Sequence, residues 1–148
     1  MSSEPIIVEQ VFDSTIQQVW EAITDPTQMR QWFFGQIVSF KAEVGFSTEF
    51  DVSFDGKRFI HQWKVTEVLP QRRIAYDWRY RGYPGDSRVT WELTSERHQS
   101  KLKLTVEGLE TFPQDMPEFT RESCIQGWTY FIGERLKKYL EDRVHEDV

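Results

Sequence analysis

The strongest constraint on this chain is a change of period. Across residues 45–108 apolar side chains recur at every second position, whereas before and after they recur at every third or fourth. A period of 2 makes a strand with one apolar face, and a period of 3.6 makes a helix with an apolar stripe. The predicted order is one strand, two short helices, an antiparallel meander and one long helix. Such a chain folds as α+β, with a curved antiparallel sheet of about six strands wrapped around a long C-terminal helix. Sheet and helix can then enclose a cavity as well as a core.

Ile6–Phe12 reads as the first strand. Ser14 with Gln17 three residues on is a capping-box pattern, and Ile16, Val19, Trp20 and Ile23 share one helical face. Asp25-Pro26 ends that helix and starts another, since Asp caps well and Pro suits the first turn. Met29, Trp32 and Phe33 form its apolar side. In the meander, Phe46, Thr48, Phe50, Val52 and Phe54 alternate up to Asp55-Gly56, a two-residue hairpin signal. That turn would pair Val52 with Phe59, Phe50 with His61 and Thr48 with Trp63, so His61 and Trp63 share the apolar face. Ile74, Tyr76, Trp78 and Tyr80 alternate next, then Val89, Trp91 and Leu93, then Leu102, Leu104 and Val106.

Asp115 and Glu118 frame the expected start of the last helix, with Pro117 in its first turn. A helix from residue 117 to about 142 would be roughly 39 Å long at 1.5 Å per residue. Cys124, Trp128, Phe131, Ile132, Leu136 and Tyr139 make its stripe; Arg121 and Arg135 fall on the same side, where a cation is less expected.

Charge and cysteine usage remove several function classes. A net charge of -6 argues against nucleic acid, which needs a basic stripe. No run of 18 apolar residues exists, so no membrane span is expected. The opening MSSEPIIVEQ lacks the features of a signal peptide, and a cytoplasmic location is expected. Cys124 is the only cysteine, which excludes an internal disulfide and any paired-cysteine metal site. His98 falls in a turn and His145 in the tail, so no metal site is expected, and no Gly-rich phosphate loop or other cofactor motif occurs. The whole chain, 1–148, reads as one domain.

Several short pieces then line up. Val19-Trp20-Glu21-Ala22 is followed by Thr24-Asp25-Pro26 and Trp32, and Gly45 precedes the meander. Val65-Thr66-Glu67-Val68 with Pro70, Tyr76-Asp77-Trp78, and Gly127-Trp128 leading to Leu136-Lys137 complete the set. In this order they resemble the helix-grip (SRPBCC) superfamily of START, Bet v 1-like and polyketide cyclase domains. More narrowly, they resemble the branch named after the activator of Hsp90 ATPase. The family commonly has Pro where Thr15 stands, but Thr also suits a helix start. The resemblance implies a helix-grip fold and three kinds of use: ligand binding, cyclase- or hydrolase-type catalysis, and a chaperone-linked role with Hsp90 in a stress response. The eukaryotic co-chaperone carries an additional N-terminal domain. With the first strand beginning by Ile6 that domain is expected to be absent, which turns the expectation away from Hsp90 activation.

The chain holds eleven Phe, six Trp and five Tyr. Rings fill cores, but they also line apolar pockets. The expected pocket draws Phe50, His61, Trp63, Tyr76, Trp78 and Trp91 from the sheet, and Trp128 and Phe131 from the helix. Trp32 and Phe34 would stand near its mouth. The expected ligand is small and hydrophobic, aromatic or lipid-like, bound by a monomer or homodimer. His61 is the one candidate acid–base residue, the alternative being a core histidine satisfied by a neighbour. No inward carboxylate is evident beside it, and Glu49 and Asp51 are expected to face solvent. Gly127 inside the helix would permit close packing or leave room in the cavity.

Overall fold

Short polar connections turn each strand of the meander back against its predecessor, so the pairing is antiparallel throughout. The computed structural model describes residues 4–54 and 56–146, with side chains to residue 143. Strand β1 (Ile6–Phe12) leads into α1 (Ile16–Thr24) and α2 (Pro26–Trp32). Five strands follow: β2 (Ser47–Phe54), β3 (Lys57–Leu69), β4 (Arg73–Tyr80), β5 (Ser87–Glu96) and β6 (Gln99–Glu107). They form one sheet in the order β1-β6-β5-β4-β3-β2. The expected hairpin register is the observed one, with Val52 opposite Phe59, Phe50 opposite His61 and Thr48 opposite Trp63. Gly56 supplies the positive φ of 76° that the turn requires, while Asp55 lies outside the described residues.

Phe59, His61, Trp63 and Val65 all point inward from β3. The register then slips between Val65 and Glu67, a bulge that bends the strand and strengthens its twist. The slip keeps the buried face apolar: the next residue packed on the core is Val68, three positions after Val65.

The long helix crosses the concave face of this sheet. It runs as α3 (Arg121–Tyr130), a π-helical turn (Phe131–Leu136) and α4 (Lys137–Glu146), with helical backbone at both junctions. Its start differs from the expectation. Pro117–Phe119 is a separate 3-10 turn, and the cap is Thr120, whose hydroxyl accepts from the Ser123 N–H at 3.3 Å. Trp128, Ile132, Leu136 and Leu140 bury against the sheet. Arg121 and Arg135 point neither into the core nor simply to water. Arg121 donates to the Glu4 and Pro5 carbonyls, and Arg135 to the Gln31 carbonyl, tying the helix to the start of β1 and the end of α2.

The first helix is also capped one residue later than expected. Thr15, not Ser14, closes the capping box: its hydroxyl accepts from the Gln18 N–H at 3.1 Å, and Gln18 accepts from the Thr15 N–H at 2.9 Å. Both positions satisfy the sequence pattern. Ser14 is buried, and its carbonyl accepts from the Ser100 hydroxyl at 2.7 Å, which holds it against the start of β6. Asp25 and Pro26 act as anticipated, the Asp25 carboxylate accepting from the Thr27 N–H at 3.0 Å. Among the described residues no helix is long and apolar enough to cross a membrane.

The cap assignment is testable by urea denaturation. Thr15→Ala is expected to cost about 1 kcal/mol of stability. Ser14→Ala is expected to cost much less, because the Ser14 bond to Ser100 runs through its backbone. The reverse order would return the cap to Ser14.

Candidate functional site

Where α2 ends, two adjacent rings enter the space between sheet and helix. Phe33 is buried and stacks on Trp32 (ring centroids 4.9 Å) while meeting Phe131 edge to face at 5.0 Å. Phe34, its ring 4.5 Å from that of Phe33, also meets His61 at 5.0 Å and Phe131 at 5.2 Å. Beyond these rings the interior is hollow. A recess of about 160 Å³, backed by Trp78, Val89 and Trp128, adjoins a groove of about 570 Å³. Phe34, His61, Tyr80, Gly127 and Phe131 line both, so recess and groove lie side by side around these residues. Val52 and Phe54 of β2 and Tyr130 of the helix edge the mouth, with Phe54 63% and Tyr130 45% exposed.

Of the residues expected at the site, Phe34, His61, Trp78, Trp128 and Phe131 stand on this wall. Phe50, Trp63, Tyr76 and Trp91 are buried in the core behind it. Trp32, expected near the mouth, is fully buried, and its indole N–H donates to the Ala22 carbonyl at 2.8 Å. An added Cβ at Gly127 would meet nothing within 4 Å. The glycine therefore leaves room and does not serve close packing.

The structure also supplies groups that sequence reasoning missed. Tyr80, Phe112 and Phe119 line the recess, and Phe59 and Phe119 line the groove. Glu118 is a carboxylate on the wall that His61 shares, contrary to the expectation of none. Its side chain is 13% exposed and pairs with Lys57 at 2.9 Å. Lys57 holds the Glu118 carboxyl below its usual range. Glu118 and Phe119 sit in a 3-10 turn within an irregular segment, where no periodicity signals direction. Glu49 and Asp51 face solvent as expected, where Glu49 pairs with Arg81 and Asp51 with Arg58.

His61 is 5% exposed, and its Nδ1 lies 3.1 Å from the Phe59 carbonyl. A carbonyl can only accept, so Nδ1 carries the proton and Nε2 is an acceptor. Burial lowers its pKa from 6.5 to about 4, against opposing contributions from the Phe59 carbonyl and Asp51. The ring is neutral at pH 7. Burial raises the Cys124 thiol to about 11, which keeps this wall residue protonated and poorly nucleophilic. His98 is exposed in the β5–β6 turn, and the side chain of His145 lies outside those described.

Two measurements follow from this chemistry. The unfolded chain protonates His61 near pH 6.5 and the folded chain only near 4, so stability is lost as pH falls through that window. The loss is on the order of 3 kcal/mol. His61→Phe is expected to remove that part of the pH dependence in urea titrations between pH 7 and 4; an unchanged slope would place the titration elsewhere. The Tyr76 hydroxyl is buried without a hydrogen-bond partner, and burial pushes its pKa far above the ordinary range. Tyr76→Phe is therefore expected to leave stability unchanged or raise it by up to about 1 kcal/mol, whereas a marked loss would reveal a bonded hydroxyl.

Comparison with known proteins adds the context of relatives. A family profile described as "Activator of Hsp90 ATPase homolog 1-like protein" matches residues 13–141. Protein CV1439 from Chromobacterium violaceum is similar over 95% of this chain and 99% of its own, with 24% identity and a TM-score of 0.79. DynU16, described as a protein of the dynemicin biosynthetic locus, is 28% identical over 95% of this chain, with a TM-score of 0.73. This chain spans 48% of DynU16. The Aha1 dimer from Colwellia psychrerythraea is 18% identical, covering 93% of this chain and 96% of that one, with a TM-score of 0.67. No curated protein sequence matches the chain.

Proposed function

Because the chain belongs to the activator of Hsp90 ATPase homolog 1-like family and carries an aromatic-walled cavity beneath its C-terminal helix, we propose that it binds a small apolar ligand there. The observation that carries this reading is the pair of adjoining cavities that share Gly127 on their walls. A groove of about 570 Å³ falls within the size range of small-molecule sites. A helix interior normally avoids glycine, which costs about 1 kcal/mol relative to alanine. At position 127 an added Cβ meets open space, so no packing contact accounts for the glycine. Phe34, Trp78, Trp128 and Phe131 offer ring faces and edges on several sides, an arrangement suited to a planar aromatic guest. DynU16, from a biosynthetic locus, lends support to a small-molecule role. Catalysis is the weaker reading: Glu118 is held by Lys57, and His61 is neutral with one nitrogen committed to the backbone.

The test is to change the room and leave the fold. Gly127→Ala is expected to bind 2-methoxynaphthalene as wild type does and to be more stable by about 1 kcal/mol. Gly127→Leu is expected to fold equally well but to lose the probe in isothermal titration calorimetry. Undiminished binding by the leucine variant would sink the cavity reading.

A further inference from the structure

Resting on that reading, the hydrogen-bonding atoms of the cavity wall narrow the ligand's chemistry. Ser87 gives its hydroxyl proton to the Trp78 carbonyl at 2.8 Å, and the Glu118 carboxylate is taken by Lys57. The Tyr80 side chain lines both the recess and the groove, and its phenol hydroxyl can donate as well as accept. Opposite it, the His61 Nδ1–H is fixed on the Phe59 carbonyl, which leaves Nε2 to accept. The two rings stand edge to face with centroids 4.8 Å apart, and both side chains line the recess and the groove.

We propose that the ligand presents an aromatic hydroxyl to this pair, donating to His61 Nε2 and accepting from the Tyr80 hydroxyl. A carbonyl would satisfy only Tyr80, and an ammonium only His61; a hydroxyl satisfies both. A charged head is disfavoured by walls made mostly of rings. The recess, at about 160 Å³, takes a single ring, since an apolar cavity of about 150 Å³ accommodates benzene. The remainder of a larger ligand would lie along the groove toward Phe54 and Tyr130. Because burial keeps the imidazole neutral down to about pH 4, the acceptor is present throughout the neutral range.

The experiment compares 2-naphthol with 2-methoxynaphthalene, which keeps the rings and loses the donor. Both are titrated by calorimetry at pH 7 into the full chain, His61→Phe and Tyr80→Phe, with folding of each checked by circular dichroism. Wild type is expected to favour the naphthol by about tenfold. The preference should fall toward parity in His61→Phe and decline in Tyr80→Phe, while the ether's affinity stays within about twofold across the three proteins. Equal affinities in wild type, or a preference that survives in both variants, would overturn the proposal. Binding of the ether without any preference for the naphthol removes the hydroxyl inference alone and leaves the cavity reading standing. Failure of both compounds removes the two together.

Discussion

Phe33 stands where α2 stops, with its ring against Trp63 of β3, Trp91 of β5 and Trp128 of the long helix. Rigid rings in contact set a minimum distance between the layers that carry them. Trp32 stacks on Phe33 and is fully buried, as are Met29 and Ile74. Beside it Phe34 packs on Phe33 at 4.5 Å and on Phe131 at 5.2 Å, and the helix offers Gly127, where an added Cβ would meet nothing within 4 Å. Sheet and helix are then held apart without enough side-chain volume between them. The cavity is a consequence of spacing, and its position follows from one ring at the end of a seven-residue helix.

The same spacing governs the chemistry of the wall. His61 is inward because the β2–β3 register puts it opposite Phe50, against which it stacks at 4.8 Å. Its nearest available acceptor is then the carbonyl of Phe59, two residues back on the same strand. Strand geometry thereby chooses the tautomer, and burial keeps the ring neutral. Lys57, at the start of the same strand, reaches Glu118 and ties the hairpin to the segment that leads into the helix. One strand thus supplies a neutral acceptor inside the cavity and an ionic tie beside it.

Much of this was legible in the sequence, and the limits are physical. Parity alone orients strand residues, so the inward placement of Phe50, His61, Trp63, Tyr76, Trp78 and Trp91 could be read directly. Parity does not say which inward ring touches a cavity and which lies behind it. That depends on the rotation of the helix above, and Trp63 and Trp78, directly paired across two strands, end up on different sides of the distinction. Glu118, Phe112 and Phe119 were illegible because residues 109–120 form short turns without a period. The bulge after Val65 did leave a trace: the buried series steps from Val65 to Val68, an odd interval that alternation alone forbids. The two misplaced caps arose differently. Ser14 and Thr15 both satisfy one pattern, and only the tertiary bond to Ser100 decides between them.

The π-helical turn shows how one helix serves both core and cavity. In a regular helix successive residues point about 100° apart, so a stripe narrow enough to seal against the sheet leaves little for a separate wall. Widening the turn at Phe131–Leu136 changes that angle locally, a feature often found at functional positions. Phe131 lines the recess and the groove, while its neighbour Ile132 is fully buried against the sheet. Ahead of the turn the helix contributes Cys124, Gly127 and Trp128 to the wall; Leu136 at its end and Leu140 behind it belong to the core. The π-helical turn thus begins where the helix passes from cavity wall to core, with Phe131 on the one and Ile132 in the other.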